Sequence, residues 1–379
     1  MVATKFIALR SIYHIILSIT LLVAGIESAT AVLLPEEKAE VNYHYYDGGG
    51  VEVDGPTLIV RKNFKDKISV AAGYHADVIS SASIDVVTQA SPYSEERQAV
   101  NLESQYLHQD TLFHGGMAYS DESDYQATTA FFGLSQTFFS GMSTFDMTYT
   151  RGWDSVERSD TDFSKDLDRH KFTLGLNQTL SPKWVATFLY EGVAESGYLS
   201  NPYRGALVRN APVPERHPEA RTSQSFNYGN LYYLGQNMAL KGGLRFYTDT
   251  WGISATTLFG GFVHQTPSPW RYEIRYEYYT QSEADFYFDN ADRLYNFISR
   301  DKELSRFDSH QLGGDVSYRL GYTNKLFDNM EIGISLDWFR FSYDNFSDRR
   351  QFVADDPDKS LDQYTFTASV WQLYFSGWY

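Results

Sequence analysis

A chain of 379 residues with 48 acidic and 32 basic side chains carries a formal charge of −16, which excludes the clustered positive charge that nucleic-acid phosphates require. It contains no cysteine, so disulfides, thiol catalysis, covalent haem attachment and iron–sulfur clusters are excluded as well. The 29 Tyr and 26 Phe stand beside a negative mean hydropathy, as expected of a transmembrane barrel in which half of each strand faces lipid and half faces water.

Lys5 and Arg10 precede an apolar run over residues 15–26, and Ser28-Ala29-Thr30-Ala31 follows. Charge, a short apolar run and small residues before a cut form the plan of a secretory signal peptide, expected here over residues 1–31. The run is shorter than the roughly 20 residues of a spanning helix. Residues 32–379 are then expected to be a single barrel domain.

Beyond the leader, apolar and polar residues alternate with period two. Val100, Leu102 and Tyr106 alternate with Asn101, Glu103 and Gln105; Phe145, Met147 and Tyr149 with Asp146, Thr148 and Thr150; Phe172, Leu174 and Leu176 with Thr173, Gly175 and Asn177. Leu240, Leu244 and Phe246 are set against Lys241 and Arg245. From Arg271 to Tyr278 the sorting is complete: Tyr272, Ile274, Tyr276 and Tyr278 on one face, Arg271, Glu273, Arg275 and Glu277 on the other. A strand sorts types this way and a helix scatters them. Val316, Tyr318 and Leu320 oppose Asp315 and Arg319, and Ile332, Ile334, Leu336 and Trp338 oppose Glu331 and Asp337.

Short polar turns fall at Lys65-Asp66, Gln109-Asp110, Ser140-Gly141, Ser181-Pro182-Lys183, Gly235-Gln236-Asn237, Thr266 to Pro269 and Asn324 to Asn329. They alternate with mostly longer connections: Gly48 to Gly55, Ser80 to Glu95, Asp121 to Asp124, Asp154 to Asp168, Glu195 to Thr222, Thr248 to Gly252, Gln281 to Ser305 and Asp344 to Ser360. Tight periplasmic turns and long extracellular loops are the asymmetry of an outer-membrane barrel, which a soluble β-sandwich or propeller has no reason to show. The expected fold is an all-β, antiparallel, up-and-down transmembrane barrel of about 16 strands, within about 14 to 18, in the outer membrane of a Gram-negative bacterium. At the end of the chain Trp371, Leu373, Phe375 and Tyr379 share a face. This resembles the C-terminal strand signature recognised by barrel-assembly machinery, an expected partner alongside outer-membrane lipid and lipopolysaccharide.

Longer stretches carry a further resemblance. Tyr45-Tyr46-Asp47-Gly48-Gly49-Gly50, Asp54-Gly55-Pro56, Val60-Arg61-Lys62-Asn63-Phe64, Ser80 to Val87, Ala90 to Arg97, Arg151-Gly152-Trp153-Asp154, Asn201-Pro202-Tyr203-Arg204 and Ser299 to Ser305 together resemble the bacterial family DUF3570 over nearly all of residues 32–379. The resemblance implies an outer-membrane barrel of no established activity. It also implies a gene neighbourhood of small lipoproteins, thioredoxin-like proteins and flavin transferases, from which a periplasmic lipoprotein or redox partner is an expectation.

Lys241, Arg245, Arg271, Glu273, Arg275, Glu277, Asp315, Arg319, Glu331 and Asp337 are the candidate lumen lining. They would either select solutes by charge and size or fill the lumen with salt bridges. The segment Gln281 to Ser305, dense in charge and aromatics, is expected to be a structured loop at the barrel mouth, either folded inward or laid over it. The basic residues Arg204, Arg209, Arg216, His217 and Arg221 of the loop Gly197 to Arg221 either meet lipid phosphate or belong to a solvated loop. The acids of Asp344 to Asp348 and of Asp355, Asp356 and Asp358 lack the order of an EF-hand loop, and solvation is the simpler reading. No Ser-His-Asp spacing, Gly-x-Ser-x-Gly elbow, His-Glu-x-x-His or phosphate-binding glycine loop is present. The chain is therefore expected to be no enzyme and to need no cofactor. A small-solute or ion channel leads, followed by a filled structural or export-partner barrel and, last, a hydrolase.

Overall fold

A closed sheet turns one face of every alternating strand inward and the other outward, and it leaves no edge unpaired. A computed structural model describes residues 33–81, 93–321, 325–352 and 360–379. The expected leader, most of the Ser80 to Glu95 connection, Asn324 and the acids Asp355, Asp356 and Asp358 lie outside the described residues.

Sixteen strands close into one barrel. The first nine are β1 (Lys38–Gly48), β2 (Val51–Phe64), β3 (Ile68–Ser81), β4 (Tyr93–His108), β5 (Thr111–Asp121), β6 (Tyr125–Phe138), β7 (Ser143–Glu157), β8 (Ser164–Ser181) and β9 (Trp184–Gly197). A small loop hairpin, β10 (Gly205–Val208) and β11 (Ala211–Pro214), stands outside the wall. The wall resumes with β12 (Ala220–Gly235), β13 (Met238–Asp249), β14 (Ser254–Gln265), β15 (Trp270–Gln281), β16 (Phe307–Leu320), β17 (Asn329–Ser347) and β18 (Gln363–Trp378). Each wall strand pairs antiparallel with its neighbours, and β1 closes on β18 from Lys38 opposite Trp378 to Gly48 opposite Ala368. The expected barrel is the observed one.

The turn chemistry fits the closure. A type I′ turn, one of the two that match strand twist in tight hairpins, has positive φ at both central positions. Lys65 and Asp66 (φ 53° and 51°) and Gln236 and Asn237 (53° and 60°) adopt it. So do Gly49 and Gly50 (60° and 80°). The segment Gly48 to Gly55 is thus not an open connection: β2 already begins at Val51 and runs through Gly55 and Pro56. Pro56 lies on the outward face, opposite the half-exposed Tyr43. Strands β7 and β8 likewise run on to Glu157 and from Ser164, shortening the connection read from Asp154 to Asp168.

Outward faces carry exposed Val41, Tyr43, Leu58, Val60, Leu102, Phe132, Phe172, Ile274, Ile334, Trp371 and Leu373. Near the short turns Tyr106, Trp184, Tyr232 and Trp270 form an aromatic girdle, the arrangement that anchors a barrel wall at a membrane interface. Toward the other end the pattern turns inside out. Along β17, Ile332, Ile334, Leu336 and Trp338 point out, whereas Phe339, Phe341 and Tyr343 point in and Arg340 points out. On β18, Trp371 and Leu373 give way to inward Val370, Ala368 and Tyr364. On β2, Leu58 and Val60 give way to inward Val51 and Val53, with Glu52 exposed. The rim beyond this level therefore has the polarity of a soluble barrel, apolar inside and polar outside.

Candidate functional site

The strand register places all ten candidate lumen residues on the inward face. One transverse row reads Lys241, Gly261, Arg275, Gly313, Asp337 across five neighbouring strands. Another holds Glu273 opposite Asp315. Arg271 lies nearer the short turns, where Arg319 stands opposite Glu331. Toward the outer rim, Glu277 lies one inward position beyond the Lys241 row and Arg245 two.

Glycine between the charges decides how they meet. Arg275 reaches over β16 to Asp337, with its Nε 2.9 Å from Oδ1. A Cβ on Gly313 would lie 2.0 Å from that Oδ1 and 2.6 Å from Arg275 Nε. The missing side chain is therefore the space in which the pair lies flat. Lys241 reaches over β14 to Glu273 at 2.9 Å, and Arg271 bonds Asp315 at 2.9 Å. His114 crosses β6 above Gly133 to the Thr148 hydroxyl at 2.9 Å. Among the described residues, the lumen ion pairs lie within one strand or join strands at most two places apart, so the network braces the wall without bridging the bore. Gly313→Val is expected to displace both partners and to cost about 1–3 kcal/mol as overpacking. Gly314→Ala, on the outward face with its nearest contact at 3.7 Å, should be neutral; urea unfolding midpoints of the two variants check this.

The outer mouth is closed differently. The β15–β16 connection, residues 282–306, folds onto the inverted rim. Its Ala284, Phe286, Tyr287 and Leu304 join Tyr46, Val53, Ile79, Trp251, Phe307, Phe339, Phe341 and Phe346 in one buried apolar core. Ile79 and Phe346 are 0% exposed. Burying each such side chain stabilises by about 1.5–3 kcal/mol. Polar contacts fix the loop's orientation. Arg300, 1% exposed, donates to the Ser347 carbonyl at 2.9 Å and pairs with Asp289, its guanidinium 4.2 Å from the Phe346 ring centre. Its backbone N–H and the Ser299 hydroxyl donate to Glu215, and Asp301 pairs with Arg204.

These contacts reassign several sequence candidates. Of the basic residues expected to meet phosphate, Arg204 pairs with Asp301 and Arg221 with Asp249. Arg209 and Arg216 donate to the carbonyls of Asp292 and Tyr295, and His217 sits against Trp251 and Phe286. The hairpin β10–β11 thus packs on the 282–306 loop, with Arg209 and Arg216 exposed beside it. Asn345 and Ser347 receive the loop, and Asp348 caps Arg350. Sequence reasoning missed two clusters whose geometry could hold a cation, His44 with His75 and Asp77, and Glu95 with Glu122 and Asp124. Local spacing offers only the pairs His75/Asp77 on β3 and Glu122/Asp124 in one connection; the third member of each comes from another strand, His44 from β1 and Glu95 from β4.

A closed up-and-down barrel with an apolar outer band, an aromatic girdle and a charged interior defines the outer-membrane class of β-barrel. The family model described as a protein of unknown function (DUF3570) matches residues 84–348, and the chain belongs to that family. No curated protein sequence matches it. Among solved structures, a bacterial polysaccharide outer membrane secretin aligns with 91% of this chain and 100% of its own, at 8% identity and a TM-score of 0.50. The siderophore receptor PirA from Pseudomonas aeruginosa aligns over 89% of this chain at 9% identity and a TM-score of 0.46, and the alignment spans 62% of the receptor's length. A FadL homologue from the same organism aligns over 91% of this chain and 90% of its own, at 10% identity and a TM-score of 0.44. At such identities the likeness is one of fold.

Proposed function

We propose that this chain is a bacterial outer-membrane channel for small polar solutes, held shut at its outer mouth by the 282–306 loop. The observation that carries the reading is the division of the interior. A charged lower lumen has its ion pairs folded against the wall, and the loop seals the rim above it through an apolar core. A barrel of this strand number is wide enough for an aqueous bore unless something fills it, and mixed charge on the wall favours weak ion selectivity. The reading assigns no catalytic step. The expected signal peptide and C-terminal strand signature suit export to and assembly in the outer membrane.

The test is planar-bilayer recording of the purified, folded chain. The native chain should open rarely. A variant in which residues 284–304 are replaced by a short Gly-Ser linker should raise open probability by about tenfold or more, equivalent to about 1.4 kcal/mol of lost closure. Heat-modifiable gel mobility verifies that the wall is intact. A correctly folded variant that conducts no better than the native chain overturns the reading. It would instead favour a filled barrel that serves a periplasmic lipoprotein or redox partner, the alternative to which the fully buried outer core lends weight.

A further inference from the structure

Just below the apolar core, the inward row that begins with Glu273, Asp315 and Ser335 continues through Gln372 to His44 on β1 and Gly55 on β2. His44 passes over Gly55 to β3, where Asp77 and His75 face the lumen. A Cβ on Gly55 would lie 1.7 Å from the Ala76 carbonyl oxygen, so only glycine allows β2 and β3 to approach this closely. The two imidazoles stack with ring centres 5.2 Å apart and planes 2° from parallel. Both turn Nε2 toward the same carboxylate, His44 at 2.9 Å from Oδ1 and His75 at 3.0 Å from Oδ2.

We propose that His44, His75 and Asp77 form a binding site for a divalent first-row transition-metal cation, entered from the charged lumen. Imidazole nitrogen with carboxylate oxygen is the donor set of Zn²⁺ and Fe²⁺; it lacks the oxygen-only shell of Ca²⁺ or Mg²⁺ and the soft sulfur of Cu⁺. The three donor groups lie within 4.8 Å of one another, and each imidazole stands 2.9–3.0 Å from a carboxylate oxygen, so a small adjustment brings them onto one ion at bonds of about 2.1 Å. His44 and Asp77 are 2% and 5% exposed, yet His44 Nε2 and Asp77 Oδ1 stand 2.9 Å apart without the alignment of a hydrogen bond. Two buried lone-pair-bearing atoms held this way favour a cation between them. Thr57 Oγ1 lies 2.6 Å from His75 Nδ1 and fixes that ring, the outer-shell support that metal-bound imidazoles use. His75, 28% exposed, leaves a side open for water or a further ligand. Arg97 lies 3.6 Å from Asp77 and 3.5 Å from Glu122.

The experiment is zinc uptake by the full-length folded barrel, prepared without a histidine tag and stripped by chelator. Calorimetry with Zn²⁺ alone should show one ion per barrel, unaffected by excess Ca²⁺. Asp77→Asn and His75→Gln should weaken binding by about a hundredfold or more, and Thr57→Val by about tenfold. His108→Gln, away from the cluster, should leave it unchanged. Substituted Co²⁺ should give visible ligand-field absorption in the native chain and lose it in the His75→Gln variant. Should the deeply buried His44→Gln fail to fold, the more exposed His75→Gln carries the comparison. The proposal is overturned if the native chain takes up no more zinc than a folded His75→Gln/Asp77→Asn double variant. That result would leave the triad a bracing contact of the wall, with the channel reading untouched.

Discussion

Arg300→Ala should unseat the outer loop while leaving the barrel standing. The guanidinium is buried among Asp289, the Ser347 carbonyl and the Phe346 ring. Removing one partner of a buried charged pair costs about 3–5 kcal/mol, and here the cost falls on the loop's attachment. Arg300→Lys should not rescue it, because an ammonium cannot serve both acceptors and lie flat on the ring. Limited proteolysis within residues 282–306 should become rapid, open probability in a bilayer should rise, and heat-modifiable mobility should be unchanged. A loop that stays protease-resistant in the Ala variant would show that the apolar core alone holds it.

Glu122→Gln should stabilise the chain at alkaline pH. Glu122 lies in the connection between β5 and β6. Burial, opposed by Arg97 and reinforced by Glu95 and Asp124, pushes its carboxyl up to about 8. An acid whose pKa folding raises binds its proton more tightly in the folded state. Stability therefore falls as pH climbs from the ordinary carboxylate range near 4.5 to about 8, and the penalty is complete above that. The shift corresponds to a few kcal/mol, at about 1.4 kcal/mol per pH unit. Urea unfolding followed by tryptophan fluorescence should show the Gln variant ahead of the native chain at pH 9 and level with it at pH 4. A Gln variant that is weaker at pH 9 would mean that the ionised carboxylate is needed by Arg97.

The wall was legible because its two faces differ in kind. Arg271 to Tyr278 sorts charge from aromatic so completely that only a strand fits, and the register confirms the sorting strand by strand. Turns were legible where polar residues interrupt the alternation, as at Lys65-Asp66 and Gln236-Asn237. Gly48 to Gly55 misled because glycine and proline read as breaks. Here Gly49-Gly50 makes a two-residue turn, and Gly55 is needed inside the strand for close approach. The plug was concealed by its own alternation. Trp338-Phe339-Arg340-Phe341 keeps period two while the apolar face changes sides, and a pattern that counts only period does not register the exchange. The stretches Asn201 to Arg204 and Ser299 to Ser305 stood out one by one. Only the fold shows that they interlock through Arg204 and Asp301. The histidine–aspartate cluster depends on side chains meeting across a glycine on the intervening strand, a relation that one-dimensional spacing does not contain.

The flat ion pairs over Gly313 and Gly261 also set the field inside the bore. Each cation lies within a few ångströms of its counter-charge, so the wall is a mosaic of small dipoles whose potential fades over a short distance into the water. A charged solute on the axis would be neither drawn in nor turned away from afar. Discrimination would begin only on contact, where a competing carboxylate or ammonium can trade places with a partner already on the wall.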